Sequence, residues 1–210
     1  MYLPFFFYTQ QASDLDPQTR WILEGVWNAI LDSRSLSFED LSNMKVGTFC
    51  GIMNNDVAIL RDIAGLDFSL NASNGGVSGF VSHAFGFHGP SADLNTMCSS
   101  GLVCLNFAVD EIQKGACDVA VVAAANWIGG GQMFSKVGSV NALSHSGLQD
   151  CLGRNPDGYI RGEGMVVFLL QRLEDVKEGG TVRCVVEAIA STHHGQGGLS
   201  SSVVMPTNVA

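Results

Sequence analysis

Charge is scarce in this chain. Asp, Glu, Lys and Arg together make up 15% of its 210 residues, against roughly 25% in an average soluble domain. Basic residues are the scarcer sign, with 11 Lys and Arg facing 20 Asp and Glu for a net charge of −9. No Lys/Arg cluster exists to displace counterions from a phosphate backbone, which excludes nucleic acid as a partner. Long apolar runs are also missing: none reaches the 18 or so residues of a membrane-spanning helix. The opening Met1–Tyr8 is apolar but lacks a basic stretch and is interrupted by Pro4, so it does not read as a signal peptide. The six cysteines (Cys50, Cys98, Cys104, Cys117, Cys151 and Cys184) include no C-x-x-C pair. That excludes the usual zinc knuckles and disulfide frameworks, and points to a reducing, cytoplasmic-type compartment.

What the chain has in quantity is apolar residues, 46% of the total. A composition rich in these and poor in charge implies a large core or a surface meant to be covered by more protein. Asp16 can cap a helix, Pro17 suits its first turn, and Leu23, Val26, Trp27, Ile30 and Leu31 follow at helical spacing. Val46–Met53 reads as a buried strand, Asn54–Ile63 as a capped short helix, and the Gly/Ser-rich Ala72–Phe87 as a loosely packed helix. Ser91–Met97 is expected to be a strand and Ser99–Gly115 a helix, with Leu102, Leu105, Val109 and Ile112 at helical steps. Asp118–Ala125 is a further buried strand by composition. Residues 126–155 form a long, Gly/Ser-punctuated excursion, of the kind that carries function or covers a site. Met165–Leu170 and Val182–Ser191 are expected to be two more strands, joined by a turn at Lys177–Gly180. Strands buried on both faces and alternating with helices imply a layered α/β/α domain.

Cys98 falls at the predicted strand-to-helix junction. A side chain there stands in the field of the helix N-terminus, whose unpaired N–H groups favour a thiolate. Ser99, Ser100 and Gly101 are small enough to leave room for an incoming acyl group, and backbone amides could hold the developing oxyanion. Position alone leaves a second reading open, that of a small buried hydrophobe. For the other five cysteines the second reading is preferred. His83, His88, His145, His193 and His194 are available in principle as bases, but reach to a thiol is not readable from sequence. They read as solvated or packing residues. Gly129–Gly131 lacks the basic residue of a phosphate cradle. Tyr159, Arg161 and Glu163 form a polar cluster that is either a site wall or a loop fixed by an Arg–carboxylate pair among permissive glycines.

Five stretches in order then resemble one family, the β-ketoacyl synthases that condense acyl units in polyketide and fatty acid synthases. Asn95-Thr-Met-Cys-Ser-Ser-Gly-Leu-Val-Cys-Leu105 is similar to the family's nucleophile motif D-T-A-C-S-S-S-L-V-A-L. Asp16-Pro-Gln-Thr-Arg-Trp-Ile-Leu-Glu24 resembles its D-P-Q-Q-R-x-x-L-E helix, and Val46-Gly-Thr-Phe-Cys-Gly51 its V-G-V-F-V-G strand. Gly89-Pro-Ser91 matches the G-P-S before the nucleophile strand. Asn155-Pro-Asp-Gly-Tyr-Ile-Arg-Gly-Glu-Gly164 resembles A-D-G-Y-V-R-G-E-G. The likeness covers residues 14 to 208, with residues 1–13 as an extension or remnant. Departures are Met97 for the usual small residue, Phe80 where an Arg is common, and Leu152-Gly153 for the usual F-D.

The resemblance implies a thiolase-like fold of α/β/α/β/α layers, of which residues 14–210 hold most of the first half. It implies Cys98 as the acyl acceptor, with Met97, Ser99, Ser100, Tyr159 and Arg161 as substrate contacts. It implies no directly bound cofactor, the acyl chain arriving on the phosphopantetheine of an acyl carrier protein. It further implies a homodimer, and a C-terminal half that supplies two histidines for decarboxylative Claisen condensation with a malonyl-type extender. The H-G-T-G-T and G-H contexts of those histidines do not occur here, so the chain by itself is expected not to complete the condensation. Two rivals stand beside this reading: a non-catalytic acyl-binding or scaffold protein of the same fold, and a different cysteine acyl-transfer enzyme using a local histidine.

Overall fold

The computed structural model describes residues 15–66, 76–150, 152–154 and 156–193. The chain divides into two compact units, Met1–Trp127 with Glu163–Ser191, and Ile128–Gly162 with Thr192–Ala210.

The first unit is a four-stranded sheet between helices. Helix α1 (Pro17–Ser33) begins as its sequence dictates: the Asp16 carboxylate accepts from the Gln18 amide, and Pro17 fills the first turn. It ends where Arg34 takes a left-handed conformation at φ 50°. Ile22, Leu23, Val26 and Ile30 form its buried stripe, whereas Leu31 is exposed. Helix α2 (Phe38–Ser42) follows behind a reciprocal cap between Ser37 and Asp40. Strand β1 (Val46–Gly51) is buried throughout, and α3 (Asp56–Ile63), α4 (Val77–Phe85) and β2 (Ser91–Leu94) come next. Helix α5 (Ser100–Gln113) and strand β3 (Val119–Asn126) precede β4 (Gly164–Gln171).

The strand order is β2-β1-β3-β4. Strand β1 runs parallel to both β2 and β3, and β4 is antiparallel to β3. Alternation along β3 divides the core in two. Val119, Val121 and Ala123 join the cluster under α1, α2 and α4. Ala120 and Val122 join Phe49 in the cluster under α5. Three layers result, helix–sheet–helix, as the buried strands implied. Trp27 of α1, Phe38 of α2, Phe85 of α4 and Phe87 stack in series, with ring centroids 4.4, 6.3 and 5.5 Å apart.

Most predicted elements occur within two or three residues of their expected limits. The helix expected over Ala72–Phe87 is observed as α4, and residues 72–75 lie outside the described residues. Strand β2 ends at Leu94, three residues short of Met97, because the chain turns there toward α5. One expectation is corrected: Val182–Ser191 is not a strand. Its β-branched residues suit a pleated surface, but strand formation also needs a neighbour to complete the ladder. This stretch is held from the side instead. Thr181 donates its amide to the Ser33 carbonyl at 2.7 Å. Arg183 makes a two-point bond to Asp32, at 3.0 and 2.6 Å.

Among the described residues the second unit contains α6 (Gln132–Gly138) and an isolated bridge between Leu143 and Tyr159. A short helix therefore interrupts the expected excursion over 126–155.

Candidate active site

The chain between β2 and α5 makes one turn of 3-10 helix, Met97–Ser99. Cys98 is the middle residue of that turn and is exposed. Met97 adopts φ 60°, a left-handed value that is uncommon for a side chain of its size. Side chains hold the turn in place. Asn95 Oδ1 accepts from the Met97 amide at 3.1 Å. Ser99 Oγ donates to the Thr96 carbonyl at 2.8 Å and lies 2.9 Å from Thr96 Oγ1. Ser100 Oγ accepts from the Thr96 amide at 2.9 Å and donates to the Met97 carbonyl at 2.6 Å.

The other thiols have a different setting. Cys50, Cys104 and Cys117 are buried. Burial pushes the Cys104 thiol up to about 11, with the Asp93 charge adding to it. Cys50 and Cys117 are raised mainly by the same desolvation. These thiols stay protonated near neutrality and unreactive. Among the described residues Cys98 and Cys184 are the exposed cysteines, and of these only Cys98 lies at the entrance of a helix. Cys151 lies outside the described residues.

Met97, Cys98, Ser99 and Ser100 thus form one continuous turn in the first unit. Tyr159 and Arg161 belong to the second. There Tyr159 donates its amide to the Ala142 carbonyl at 2.9 Å and accepts from the Ser144 amide at 3.0 Å. The Arg161 guanidinium sits 5.0 Å over the Phe134 ring. Asp157 accepts from Ser144 Oγ at 2.7 Å and from the Ser146 amide at 2.8 Å, which hold its carboxyl down to about 2. His83 and His88 are exposed in the first unit, and neither is hydrogen-bonded to Cys98. His145 is exposed in the second unit, and His194 lies outside the described residues.

A buried polar node near the ends of β1 and β3 escaped the sequence reading. Gln18 is fully buried. Its Nε2 donates to the Asn54 carbonyl at 3.0 Å and to Asp16 Oδ1 at 3.2 Å. Its Oε1 accepts from the Trp127 amide at 3.4 Å. Asn54 in turn donates to Asn126 Oδ1. The node fixes the start of α1 against the exits of β1 and β3. Asp-Pro-Gln was legible as a helix start, but partners 36 and 109 residues away were not.

An exposed cysteine thus sits on the turn from an edge strand into the half-buried helix α5 of an α/β/α sheet, an arrangement that fits the thiolase-like fold of the ketosynthases. The chain belongs to the β-ketoacyl synthase family: its "Beta-ketoacyl synthase, N-terminal domain" matches residues 4–176. Among curated relatives, lovastatin diketide synthase lovF of Aspergillus terreus is 33% identical over 193 residues, which span 90% of this chain and 8% of that protein. The non-reducing polyketide synthase olcA of Penicillium canescens is 31% identical over 205 residues, 95% of this chain and 8% of that protein. Among solved structures, the oxazolomycin ketosynthase domain OzmH KS7 of Streptomyces albus JA3453 superposes with a TM-score of 0.70 at 32% identity. That match covers 77% of this chain and 28% of the other. The ketosynthase from module 6 of the bacillaene synthase of Bacillus subtilis 168 shares the fold, with a TM-score of 0.69 at 24% identity. The chain therefore corresponds to the N-terminal part of a ketosynthase domain of the polyketide synthase type, and spans less than a tenth of these curated relatives.

Proposed function

We propose that Cys98 accepts an acyl chain from the phosphopantetheine thioester of an acyl carrier protein, as the first stage of a decarboxylative condensation in polyketide biosynthesis. The observation that carries this reading is the contrast among the thiols: Cys98 is exposed on the turn into α5, while Cys50, Cys104 and Cys117 are buried and held protonated. The Cys98 thiolate adds to the thioester carbonyl, and backbone amides at the start of α5 face the developing oxyanion. Collapse breaks the carbon–sulfur bond to pantetheine, whose sulfur leaves as a thiolate and takes up the proton that Cys98 released. Met97, Ser99 and Ser100 border the acceptor, and Tyr159 and Arg161 are substrate contacts on the family resemblance alone.

The second stage belongs to a C-terminal half supplying the two histidines. There the malonyl-type extender loses CO2, and its carbanion attacks the acyl-cysteine. No cofactor is bound directly, since the pantetheine arrives with the carrier protein. The free thiols suit a reducing compartment such as the cytoplasm. A homodimer follows the family resemblance, and the partly exposed edge strand β2 offers a ladder for such pairing.

Incubating the full chain with a hexanoyl N-acetylcysteamine thioester tests the first stage. Peptide mass spectrometry should find the hexanoyl mass on the Cys98 peptide, and no adduct in Cys98→Ala. Absence of any adduct would favour a non-catalytic scaffold. Steady turnover lost on replacing one of the chain's own histidines would favour a different acyl-transfer enzyme.

A further inference from the structure

We infer that Ser100 is a positioning residue for Cys98, acting through the peptide bond that joins Met97 to Cys98 rather than through substrate. This rests on the reading of Cys98 as the acyl acceptor. Ser100 is 4% exposed, so its hydroxyl is withdrawn from solvent although it lies two residues from an exposed thiol. Both bonding capacities of that hydroxyl are used within the turn, accepting from the Thr96 amide at 2.9 Å and donating to the Met97 carbonyl at 2.6 Å. The Met97 carbonyl shares a planar trans peptide with the Cys98 amide, and in such a unit C=O and N–H point in opposite directions. Holding the carbonyl toward Ser100 therefore directs the Cys98 N–H away from it. The Ser100 backbone N–H donates to the same Met97 carbonyl, so amide and hydroxyl together fix the plane carrying the acceptor's own N–H. The hydroxyl alone ties that plane to the Thr96 amide across Met97, whose φ is 60°.

Ser100 is itself fixed by the sheet. A Cβ on Gly51 would lie 2.8 Å from the Ser100 carbonyl carbon and 2.9 Å from the Gly101 nitrogen, so the start of α5 rests directly on the end of β1. The geometry runs from Gly51 to Ser100, then to Thr96 and Met97, and ends at Cys98.

Acylation kinetics of the full chain with the hexanoyl thioester, for wild type, Ser100→Ala and Ser100→Thr, test this. Misplacement by about 1 Å costs on the order of 100-fold in rate. Ser100→Ala should therefore lower the saturating acylation rate roughly 10- to 100-fold, with the half-saturating concentration nearly unchanged. Ser100→Thr, which keeps the hydroxyl, should restore most of it. Cys50, Cys104 and Cys117 should resist iodoacetamide in all three proteins. An unchanged rate overturns the inference. So does a raised half-saturating concentration at unchanged saturating rate, which would make Ser100 a substrate contact. A lost rate accompanied by alkylation of the buried thiols overturns it too, since Ser100 would then serve packing alone. The iodoacetamide rate of Cys98, taken relative to Cys184, gives an arm independent of acyl chemistry. That ratio should fall about threefold in Ser100→Ala as the sulfur leaves its place at the helix terminus, and recover in Ser100→Thr. If wild type is never acylated, the acyl-acceptor reading falls and this ratio alone decides: a fall rescued by Thr upholds the role of Ser100, and no change removes it.

Discussion

At the scale of single residues, Gln18 shows how an uncharged side chain can hold distant parts of the chain together. Its amide group serves Asn54, Asp16 and Trp127 from a fully buried position. Gln18→Leu keeps much of the volume and removes the bonds that Gln18 makes to the Asn54 carbonyl and the Trp127 amide. Each buried polar group so deprived costs about 1–3 kcal/mol, so urea unfolding should show a loss of about 2–4 kcal/mol. Asp16, beside it, has the opposite character. Its Oδ1 caps α1 while Oδ2 is buried without a hydrogen bond. Desolvation raises its pKa against the lowering pull of the Gln18 bonds and Arg20. A carboxyl whose folded pKa is raised contributes most below its unfolded pKa of about 3.9, and that contribution is lost as pH rises through the folded value. Asp16→Asn keeps a good capping group and removes the titration. Urea midpoints should fall less from pH 4 to pH 7 in Asp16→Asn than in wild type, and parallel curves would refute the assignment. The cap was legible because its spacing is local. The cost of burying it was not, because burial is set by tertiary packing, and the Asp56 charge that adds to the rise lies far away in sequence.

At the scale of elements, close approach decides more than propensity does. Gly51 ends β1 where α5 begins, and a methyl group there would meet backbone at 2.8 Å. Backbone cannot swing aside as a flexible side chain can, so Gly51→Ala should cost about 1–3 kcal/mol and slow acylation of Cys98 as the turn shifts. Gly25 makes a milder case. Its Cβ would meet Val167 Cγ2 at 2.7 Å and the end of Met165 at 2.9 Å. The Met165 end can swing aside, and the stiffer Val167 methyl can still give more than backbone does. Thermal melts should therefore rank Gly51→Ala below Gly25→Ala. The strands of the sheet were legible as apolar runs between turn residues, since β1 and β3 are covered on both faces. Residues 182–191 carried the same signal and misled, because composition reports a fitness to pair and not the presence of a partner. Their tether to α1 through Asp32 lies at the surface. Asp32→Asn should leave the melting temperature nearly unchanged while speeding proteinase K cleavage within 180–191. Equal cleavage would mean that the Thr181–Ser33 backbone bond alone holds the segment.

At the scale of the whole molecule, the scarcity of charge acquires a structural meaning. In the first unit Leu31, Ile63, Leu66, Leu102, Phe168, Leu173 and Val185 are all exposed, and Leu102 is 69% so on the very helix that follows Cys98. Scattered exposed apolar residues are ordinary, but several of these sit close together. An apolar groove is lined by Leu105 and Val109 of α5, Val167 and Leu169 of β4, and Val182 and Val185 beyond it. The match to a solved ketosynthase domain covers 28% of that chain. Large contiguous apolar surface on a soluble protein marks a place for another protein surface or a liability to aggregate. The isolated chain should therefore bind a hydrophobic dye such as ANS strongly and form concentration-dependent assemblies in sedimentation velocity. Supplying the C-terminal half of a ketosynthase in trans should reduce both signals. A monomer that unfolds sharply and reversibly, with little dye binding before the transition, would mean instead that the exposed residues are tolerated singly. The 210-residue chain would then have to be treated as a self-sufficient folding unit.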